Sequence, residues 1–300
     1  MNDPIRTEKL SKRFRRTEAV DGLDLCVPQG CIYALIGPNG AGKTTTIKLL
    51  MNVLRASGGR AEVLGVDSQR LGPREFARIG YVSENQEMPD WMTVGYFMDY
   101  WRHFYPAWDA SLAAELIRQF ALPLDRRLRH LSHGMRMKAA LASSLAYRPG
   151  LLVLDEPFTG LDALVRDELI EGFLPRAENT TIFISSHDLT EIETFASHIG
   201  YLEYGHLQFS EDLDTLTARF REIVLTFADP PPLPREWPSG WLQPEATGPM
   251  MRFIDTGFSP DRTPERVRSL FPGLREMAVN GMPLRSIFVT LARASRTKAA

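Results

Sequence analysis

Residues 37 to 44 have the sequence Gly37-Pro38-Asn39-Gly40-Ala41-Gly42-Lys43-Thr44, which matches the P-loop pattern Gly-x-x-x-x-Gly-Lys-Thr. Before this loop, short apolar runs between Leu23 and Ile36, interrupted by Pro28-Gln29-Gly30, predict two strands joined by a tight turn. After it, the segment from Thr44 to Leu54 has no internal glycine or proline and a helical spacing of apolar residues. A strand, a glycine-rich loop and a helix in this order indicate a phosphate-binding site.

The chemistry of this loop follows from its residue types. Glycines allow the backbone to curl, so that successive N–H groups and the helix N-terminus face an anion. The Lys43 ammonium group can reach the terminal phosphates of a nucleotide, and the Thr44 hydroxyl group can bind Mg²⁺. A chance glycine turn is the alternative, and the flanking strand and helix argue against it. The predicted nucleotide-binding residues of the loop are Gly37, Pro38, Asn39, Gly40, Ala41, Gly42, Lys43, Thr44 and Thr45.

Two carboxylates follow a later apolar strand. Leu151 to Leu154 is wholly apolar, as in a strand buried on both faces of a parallel sheet, and Asp155 and Glu156 come directly after it. Such a pair is costly unless a cation or water lies beside it. We predict that Asp155 holds Mg²⁺, directly or through water, and that Glu156 polarises the water that attacks the γ-phosphate. A solvated acidic pair is the weaker interpretation next to a P-loop.

Strands and helices alternate through the middle of the chain. A second apolar strand is predicted at Thr181 to Ser185, after a helix from about Ala163 to Leu174. This repetition predicts an α/β core. Periodic, proline-free segments at Ala110 to Phe120 and Ser132 to Tyr147 predict a helical subdomain over about residues 88–148.

The C-terminal third has a different composition. The segment from Asp229 to Gly240 is rich in proline, which cannot continue a helix or a central strand. We therefore predict a boundary near residue 206, with a first domain over 1–206 and a small α+β accessory domain over 207–300. The predicted elements of the second domain are strands at Glu222 to Phe227, Met250 to Asp255 and near Arg275 to Val279, and helices at Pro264 to Phe271 and Leu284 to Ala294.

Composition excludes several classes of protein. The 300 residues include 35 Lys and Arg against 37 Asp and Glu, so the formal charge of -2 disfavours a nucleic-acid binder that relies on charge alone. Two cysteines, Cys26 and Cys31, cannot form a disulfide framework. The charged N-terminus has no signal-peptide core, and no apolar run reaches the roughly 18 residues of a membrane helix. We expect a cytoplasmic protein in which any membrane crossing belongs to another polypeptide.

Further residues resemble the motifs of the nucleotide-binding subunit of an ABC transporter. Leu131-Ser132-His133-Gly134-Met135 is similar to the family signature Leu-Ser-Gly-Gly-Gln, and Gly160-Leu161-Asp162 is similar to the D-loop. His187 resembles the switch histidine, and Phe14 resembles the aromatic residue that stacks on adenine. The resemblance covers residues 5 to 206. It implies a P-loop NTPase core of the ABC type with antiparallel β and helical subdomains.

The resemblance also implies a composite active site. Two ATPase subunits, identical or paralogous, would meet head to tail and clamp ATP with Mg²⁺ between the P-loop of one subunit and the signature of the other. The implied catalytic residues are Glu156 as the base, His187, which holds the γ-phosphate and the attacking water, and Lys43. Outside the P-loop, the implied ATP-binding residues are Phe14, Ser132, Gly134 and Asp162. The implied metal ligands are Thr44, Asp155 and Glu84.

The resemblance implies a partner and a location as well. Binding of ATP would close the dimer, and hydrolysis would reopen it. This cycle would drive a separate membrane permease, with the chain held peripherally at the cytoplasmic face of the membrane. The implied function is the ATP-hydrolysing motor subunit of an ABC transporter, with export favoured.

Three positions depart from the family pattern. Glu84 stands where the family usually has the Q-loop glutamine, and Gln86, two residues later, is an alternative if the loop shifts. His133 replaces the first glycine of the signature, and Met135 replaces its glutamine. These variants are similar to those of the subgroup that pairs with ABC-2-type exporter permeases, whose ATPase subunits often carry a C-terminal extension.

Eight aromatic residues lie between Trp91 and Trp108 at mostly helical spacings. One interpretation is a groove beside the Q-loop that in this family receives a coupling helix of the membrane subunit. The other is the core of the helical subdomain, which is more usual for rings at helical spacing.

Two other functions stay open. A non-transport ABC ATPase, acting in translation or DNA maintenance, usually has two ATPase modules or a long coiled-coil insertion, and this chain has one motif set and no heptad insertion. A regulator that clamps ATP without hydrolysing it is disfavoured by Glu156 and His187, although Glu84 is compatible with it.

Overall fold

The computed structural model describes residues 3–176, 179–230, 234 and 236–299, apart from the side chains at 292 and 294–299. The chain divides into two units, Met1–Ser210 and Glu211–Ala300. Two prolines of the proline-rich segment, at 231 and 232, lie outside the described residues. Within the described ranges, no helix is both long enough and apolar enough to cross a membrane.

The first unit contains two sheets and a set of helices. Its strands are β1 (Ile5–Phe14), β2 (Thr17–Leu23), β3 (Cys26–Val27), β4 (Ile32–Ile36), β5 (Gly58–Val63), β6 (Val66–Asp67), β7 (Ile79–Ser83), β8 (Leu151–Asp155), β9 (Thr181–Ser186), β10 (His198–Glu203) and β11 (His206–Asp212). Its helices are α1 (Lys43–Leu50), α2 (Pro73–Phe76), α3 (Val94–Arg102), α4 (Ala110–Gln119), α5 (His133–Leu145) and α6 (Ala163–Phe173).

A parallel sheet forms the core of the first unit. Its strand order is β11-β10-β4-β9-β8-β7, and β10, β4, β9, β8 and β7 pair in parallel. Every residue of β4, β8 and β9 is buried, which explains their lack of alternating polar residues. Because parallel strands end at the same edge, the segments after β4, β8 and β9 meet there. The predicted α/β fold is confirmed.

The first unit also contains an antiparallel sheet with the strand order β2-β1-β5-β6, in which β3 is paired to β1 as well. Sequence patterns did not locate β1, β2 or β5, because charged residues such as Arg6, Glu8 and Lys12 interrupt their apolar spacing. Antiparallel strands with one solvated face tolerate such residues. The hairpin of β1 and β2 pairs Phe14 with Thr17 and so holds Phe14 at its turn.

Side-chain caps define the helices of the central segment. Thr93 accepts a hydrogen bond from the N–H of Tyr96 before α3, and Asp109 accepts one from Leu112 before α4. The helices predicted at Ala110 to Phe120 and Ser132 to Tyr147 are confirmed as α4 and α5, each slightly shorter.

The expectation that most rings between Trp91 and Trp108 belong to the core is wrong. Phe97 is 1% exposed, whereas Trp91 is 63% exposed and Phe104 is 57% exposed. Only Val94–Arg102 of this stretch is helical, and Phe97 lies on the buried face of that helix. Most of the other rings lie on another face of the helix or outside it. These rings contact one another instead, as Tyr100 and Phe104 do with ring centroids 4.9 Å apart.

The second unit is an α+β structure. Its elements are α7 (Leu213–Arg219), β12 (Arg221–Phe227), β13 (Trp241–Thr247), β14 (Met250–Asp255), α8 (Arg262–Leu270), β15 (Leu274–Gly281) and α9 (Leu284–Ala299). They form an antiparallel sheet of order β13-β14-β12-β15. Aromatic residues dominate its core, where the rings of Trp241 and Phe253 stack 4.2 Å apart and Phe271 is buried. The predicted α+β class is confirmed, and β13 was not predicted.

Candidate functional site

The carboxyl edge of the parallel sheet surrounds a cavity of about 650 Å³. It lies between the loop after β4, the turn of the β1–β2 hairpin and the segments after β7, β8 and β9. Its lining residues are Phe14, Ala19, Asn39, Gly40, Ala41, Gly42, Lys43, Thr44, Thr45, Glu84, Glu156, Thr159 and His187.

Two glycines allow the loop after β4 to follow its path. A Cβ atom on Gly42 would lie 2.3 Å from the carbonyl oxygen of Ala19, and its φ of 108° is rarely adopted by other residues. A Cβ atom on Gly37 would lie 2.1 Å from the carbonyl oxygen of Leu202. The loop therefore passes close to neighbouring backbone and opens directly into α1, whose first N–H groups have no helical partner. Such an N-terminus favours an anion.

Lys43 is held beneath the loop and is only 5% exposed. Its Nζ donates to the carbonyl oxygens of Gly37 at 2.6 Å and Pro38 at 3.2 Å. The same Nζ lies 3.0 Å from Oε1 of Glu156. The positive charge is thus presented at the wall of the cavity in a defined position.

Glu156 is the centre of a second set of contacts. Its other oxygen, Oε2, accepts a hydrogen bond from Nδ1 of His187 at 2.7 Å and one from Oγ1 of Thr159 at 3.3 Å. Burial alone would raise the pKa of Glu156, but the hydrogen bonds from His187 and Lys43 outweigh it and hold the pKa below its usual value. Glu156 also has a φ of 52°, a left-handed conformation found mainly at constrained sites.

Asp155 is buried behind Glu156 at the end of β8. Its Oδ1 accepts hydrogen bonds from Oγ of Ser185 at 2.7 Å and Oγ1 of Thr44 at 3.1 Å. Burial raises the pKa of Asp155 above its usual value, although both hydroxyl groups act against this shift. A carboxylate next to a threonine hydroxyl group is an oxygen donor set that fits Mg²⁺.

The segment after β7 presents two residues to different cavities. Glu84 lines the cavity described above, and its N–H donates to the carbonyl oxygen of Asp155 at 3.1 Å. Gln86 lines a separate cavity of about 290 Å³, together with Trp101 and Tyr105. The structure therefore brings Glu84, and not Gln86, next to the P-loop.

Six predicted residues are not part of the cavity wall. Gly37 and Pro38 directly precede lining residues of the loop, and Asp155 is bonded to the lining residue Thr44. The other three, Ser132, Gly134 and Asp162, lie at the starts of α5 and α6. The Oγ atom of Ser132 accepts a hydrogen bond from the N–H of Met135 at 3.3 Å and caps α5. Asp162 caps α6 by accepting from the N–H of Val165 at 2.9 Å. Gly134 packs so closely that a Cβ atom would lie 2.7 Å from Cγ1 of Val165.

Sequence reasoning missed two residues that shape the site. Ser185 joins Asp155 to the turn after β8, because its Oγ donates to Asp155 and accepts from the N–H of Glu156 at 3.0 Å. Thr159 binds Glu156 and lines the cavity. A serine at the end of an otherwise apolar strand was the available signal for Ser185, whereas Thr159 had none.

Comparisons with known proteins agree with this architecture. Residues 20–159 match the family described as ABC transporter. The ABC transporter ATP-binding protein YtrB of Bacillus subtilis (strain 168) is 32% identical over 225 residues, which cover 74% of this chain and 77% of YtrB. The daunorubicin resistance ATP-binding protein DrrA2 of Streptomyces coeruleorubidus is 36% identical over 208 residues, which cover 67% of this chain and 64% of DrrA2.

A solved structure described as the ATP binding subunit of an ABC transporter has the same fold. It is 24% identical to this chain, with a TM-score of 0.65. The superposition covers 71% of this chain and 92% of that structure.

Proposed function

The chain belongs to the family of ABC transporter ATP-binding proteins, and on this premise we propose that it is the ATP-hydrolysing motor subunit of an exporter. The observation that carries the proposal is that Lys43 and His187 both contact Glu156, in one cavity beside the P-loop. A cation, an ionised carboxylate and a histidine in this arrangement suit attack of water on a bound phosphate.

Each group has a role in this reaction. Backbone N–H groups of the loop and the Lys43 ammonium group bind the phosphates. The half-exposed ring of Phe14 stacks on the adenine base. Glu156 accepts the proton of the attacking water, and His187 orients Glu156 through their 2.7 Å hydrogen bond and contacts the γ-phosphate.

Thr44, Asp155 and Glu84 are the proposed ligands or near neighbours of Mg²⁺. When bound, Mg²⁺ neutralises charge on the phosphates. The hydroxyl group of Thr44 lies next to Asp155, and Ser185 holds the Asp155 carboxylate in its orientation. Glu84 brings an additional negative charge to the cavity.

The second half of the site is proposed to come from another ATPase subunit, identical or paralogous. Ser132 and Gly134 begin α5 outside the cavity, and Ser132 is exposed. The N-terminus of α5 can therefore bind the ATP of a second subunit in head-to-tail contact. Asp162 belongs to the same proposed interface. ATP would then join the two subunits, and loss of phosphate would separate them.

The proposed partner is a membrane permease that holds the chain at the cytoplasmic face. The exposed rings of α3 and the 290 Å³ cavity beside them support this proposal. Among the described residues beside this cavity, the buried atoms Oε1 of Gln86 and Nε1 of Trp101 have no hydrogen-bond partner. Export is favoured because DrrA2 is named as a resistance protein.

The catalytic proposal is tested with Glu156→Gln. Glutamine keeps the length of the side chain but removes the base, so we expect ATP turnover to fall by about 100- to 10,000-fold. We also expect the variant to form a dimer in the presence of ATP, measured by light scattering on a sizing column. Glu171→Gln, on the exposed face of α6, is the control and should match the wild type. Equal turnover in Glu156→Gln and the control would refute the role of Glu156.

The partner proposal is tested by purification of the tagged chain from detergent-solubilised membranes with ATP present, followed by mass spectrometry. We expect a multi-helix permease to co-purify. Recovery with ribosomes or DNA-repair proteins, and with no integral membrane protein, would instead favour a non-transport ATPase.

A further inference from the structure

His133 has no role in the reaction proposed above, and it does not line the nucleotide cavity. It lies at the first position of α5, between Ser132 and Gly134. Its Nε2 atom donates a hydrogen bond to the carbonyl oxygen of Thr159 at 3.2 Å. Because a carbonyl group only accepts, Nε2 carries the proton in this contact.

Thr159 connects this histidine to the catalytic carboxylate. The Oγ1 atom of Thr159 donates to Oε2 of Glu156 at 3.3 Å, and the Thr159 N–H donates to the Glu156 carbonyl oxygen at 3.3 Å. Thr159 is therefore bonded to Glu156 through its side chain and its N–H, and to His133 through its carbonyl oxygen. A chain of three residues joins the start of α5 to the base.

Packing makes this connection stiff. Gly134 is in close contact with Val165 of α6, and beyond it the buried Lys138 forms an ion pair with Glu168 of α6. Helices held by tight packing and a charged pair resist sliding past each other. The bond between His133 and Thr159 adds a polar contact at the end of this block that is nearest to Glu156.

We propose that His133 is a positioning residue that makes Ser132 and Glu156 of one subunit move together. The proposal rests on the proposed function, in which Ser132 contacts the ATP of one site of the dimer and Glu156 acts at the other. His133 then couples the two ATP sites through Thr159. A glycine at this position has no side chain to make the bond.

The first experiment measures the local contact without nucleotide. Amide hydrogen exchange is followed by mass spectrometry in the peptide spanning residues 157–162 of the full chain. In His133→Ala we expect exchange to rise by about two- to tenfold, the factor that corresponds to one lost hydrogen bond. His133→Gln keeps a side-chain N–H donor and should exchange like the wild type. His130→Ala, which removes an exposed histidine bonded to Arg129, is the matched control. Equal exchange in His133→Ala and His130→Ala would overturn the proposal.

The second experiment measures coupling between the sites. ATP turnover of the full chain is recorded against ATP concentration. For two coupled sites, the Hill coefficient of the wild type should approach about 2, and His133→Ala should lower it toward about 1. Turnover should fall by about two- to tenfold with nucleotide affinity of the single subunit unchanged, and His133→Gln should restore both values. A purely structural residue would lower turnover without changing the Hill coefficient.

The outcomes separate this proposal from the proposed function. A wild-type Hill coefficient near 1, or an unchanged coefficient in His133→Ala, overturns the coupling even if turnover is normal. The proposed function fails if the wild type does not hydrolyse ATP and the Glu156→Gln variant does not form a dimer with ATP. The proposed coupling fails with it. The exchange experiment uses no ATP, so a change there with no ATPase activity identifies the second case.

Discussion

Two regions of the molecule differ in whether their side chains have partners within the chain. One is the cavity beside the P-loop, and the other is the aromatic segment from Trp91 to Trp108. In the cavity, Glu156 is contacted by Nζ of Lys43 at 3.0 Å and by Nδ1 of His187 at 2.7 Å. Along the aromatic segment, Phe97 is buried and most of the other rings are half-exposed or exposed. Buried charges must have partners at short range, whereas an apolar ring can pack equally well on its own chain or on another protein. The charged groups of the cavity are paired within the chain, whereas most of the rings of the aromatic segment are left partly or largely exposed.

The largest effect on stability is expected inside the aromatic segment. Phe97→Ala removes a fully buried ring and should lower the free energy of unfolding by about 3–5 kcal/mol. Tyr96→Ala, on the same helix, removes a ring that is 50% exposed and should change it by less than about 0.5 kcal/mol. Urea denaturation measures both. Equal losses would show that α3 has no exposed aromatic face.

The next effect tests the charged contacts of the cavity. Lys43→Met keeps the length of the side chain but removes the ammonium group, so ATP affinity should fall by about 10- to 150-fold. Calorimetric titration with ATP measures this change. Lys48→Met, on the exposed side of α1, should bind ATP like the wild type. Similar affinities in the two variants would remove Lys43 from the phosphate site.

Substitution of a proposed metal ligand should have a smaller effect, on the Mg²⁺ concentration that hydrolysis requires. Thr44→Val removes the hydroxyl group that lies 3.1 Å from Oδ1 of Asp155. The Mg²⁺ concentration for half-maximal hydrolysis should rise about tenfold, since one ligand is lost. Thr44→Ser retains the hydroxyl group and should restore the wild-type requirement, and EDTA should stop hydrolysis in every variant. A Val variant with the wild-type Mg²⁺ requirement would contradict the assignment.

The smallest effect on the isolated chain is expected for the exposed rings. The double variant Tyr100→Ser and Phe104→Ser should change the free energy of unfolding by less than about 0.5 kcal/mol. It should nevertheless reduce the recovery of a membrane partner, measured by co-purification. Tyr204→Ser, at another exposed aromatic residue, serves as the control. Undiminished partner recovery would mean that the aromatic face binds something else or nothing.

The fold was predictable where burial leaves few choices. The wholly buried strands β8 and β9 and the glycine-rich loop before α1 were located from local sequence patterns, and β14 was predicted with the bounds that the structure has. The strands of the antiparallel sheet were not located from the sequence. The first of them, β1, carries charged residues on its solvated face, which interrupt the alternation of apolar and polar residues. Rings at helical spacing in α3 gave a misleading prediction, since periodicity reports a shared face and not what covers it.

The sequence by itself determined the class of the fold, the order of the motifs and the residue types that can bind a nucleotide, because these depend on local patterns. Only the tertiary structure decided which groups meet. Glu156 is contacted by Lys43 and His187, which lie far from it in the chain, and Thr159 links it to His133 of α5. Likewise, the turn after β7 turns Glu84 toward the P-loop and Gln86 toward the aromatic cavity. These contacts form because separate segments of the chain meet at one edge of a parallel sheet. A local sequence pattern carries no information about how close two distant segments come in space.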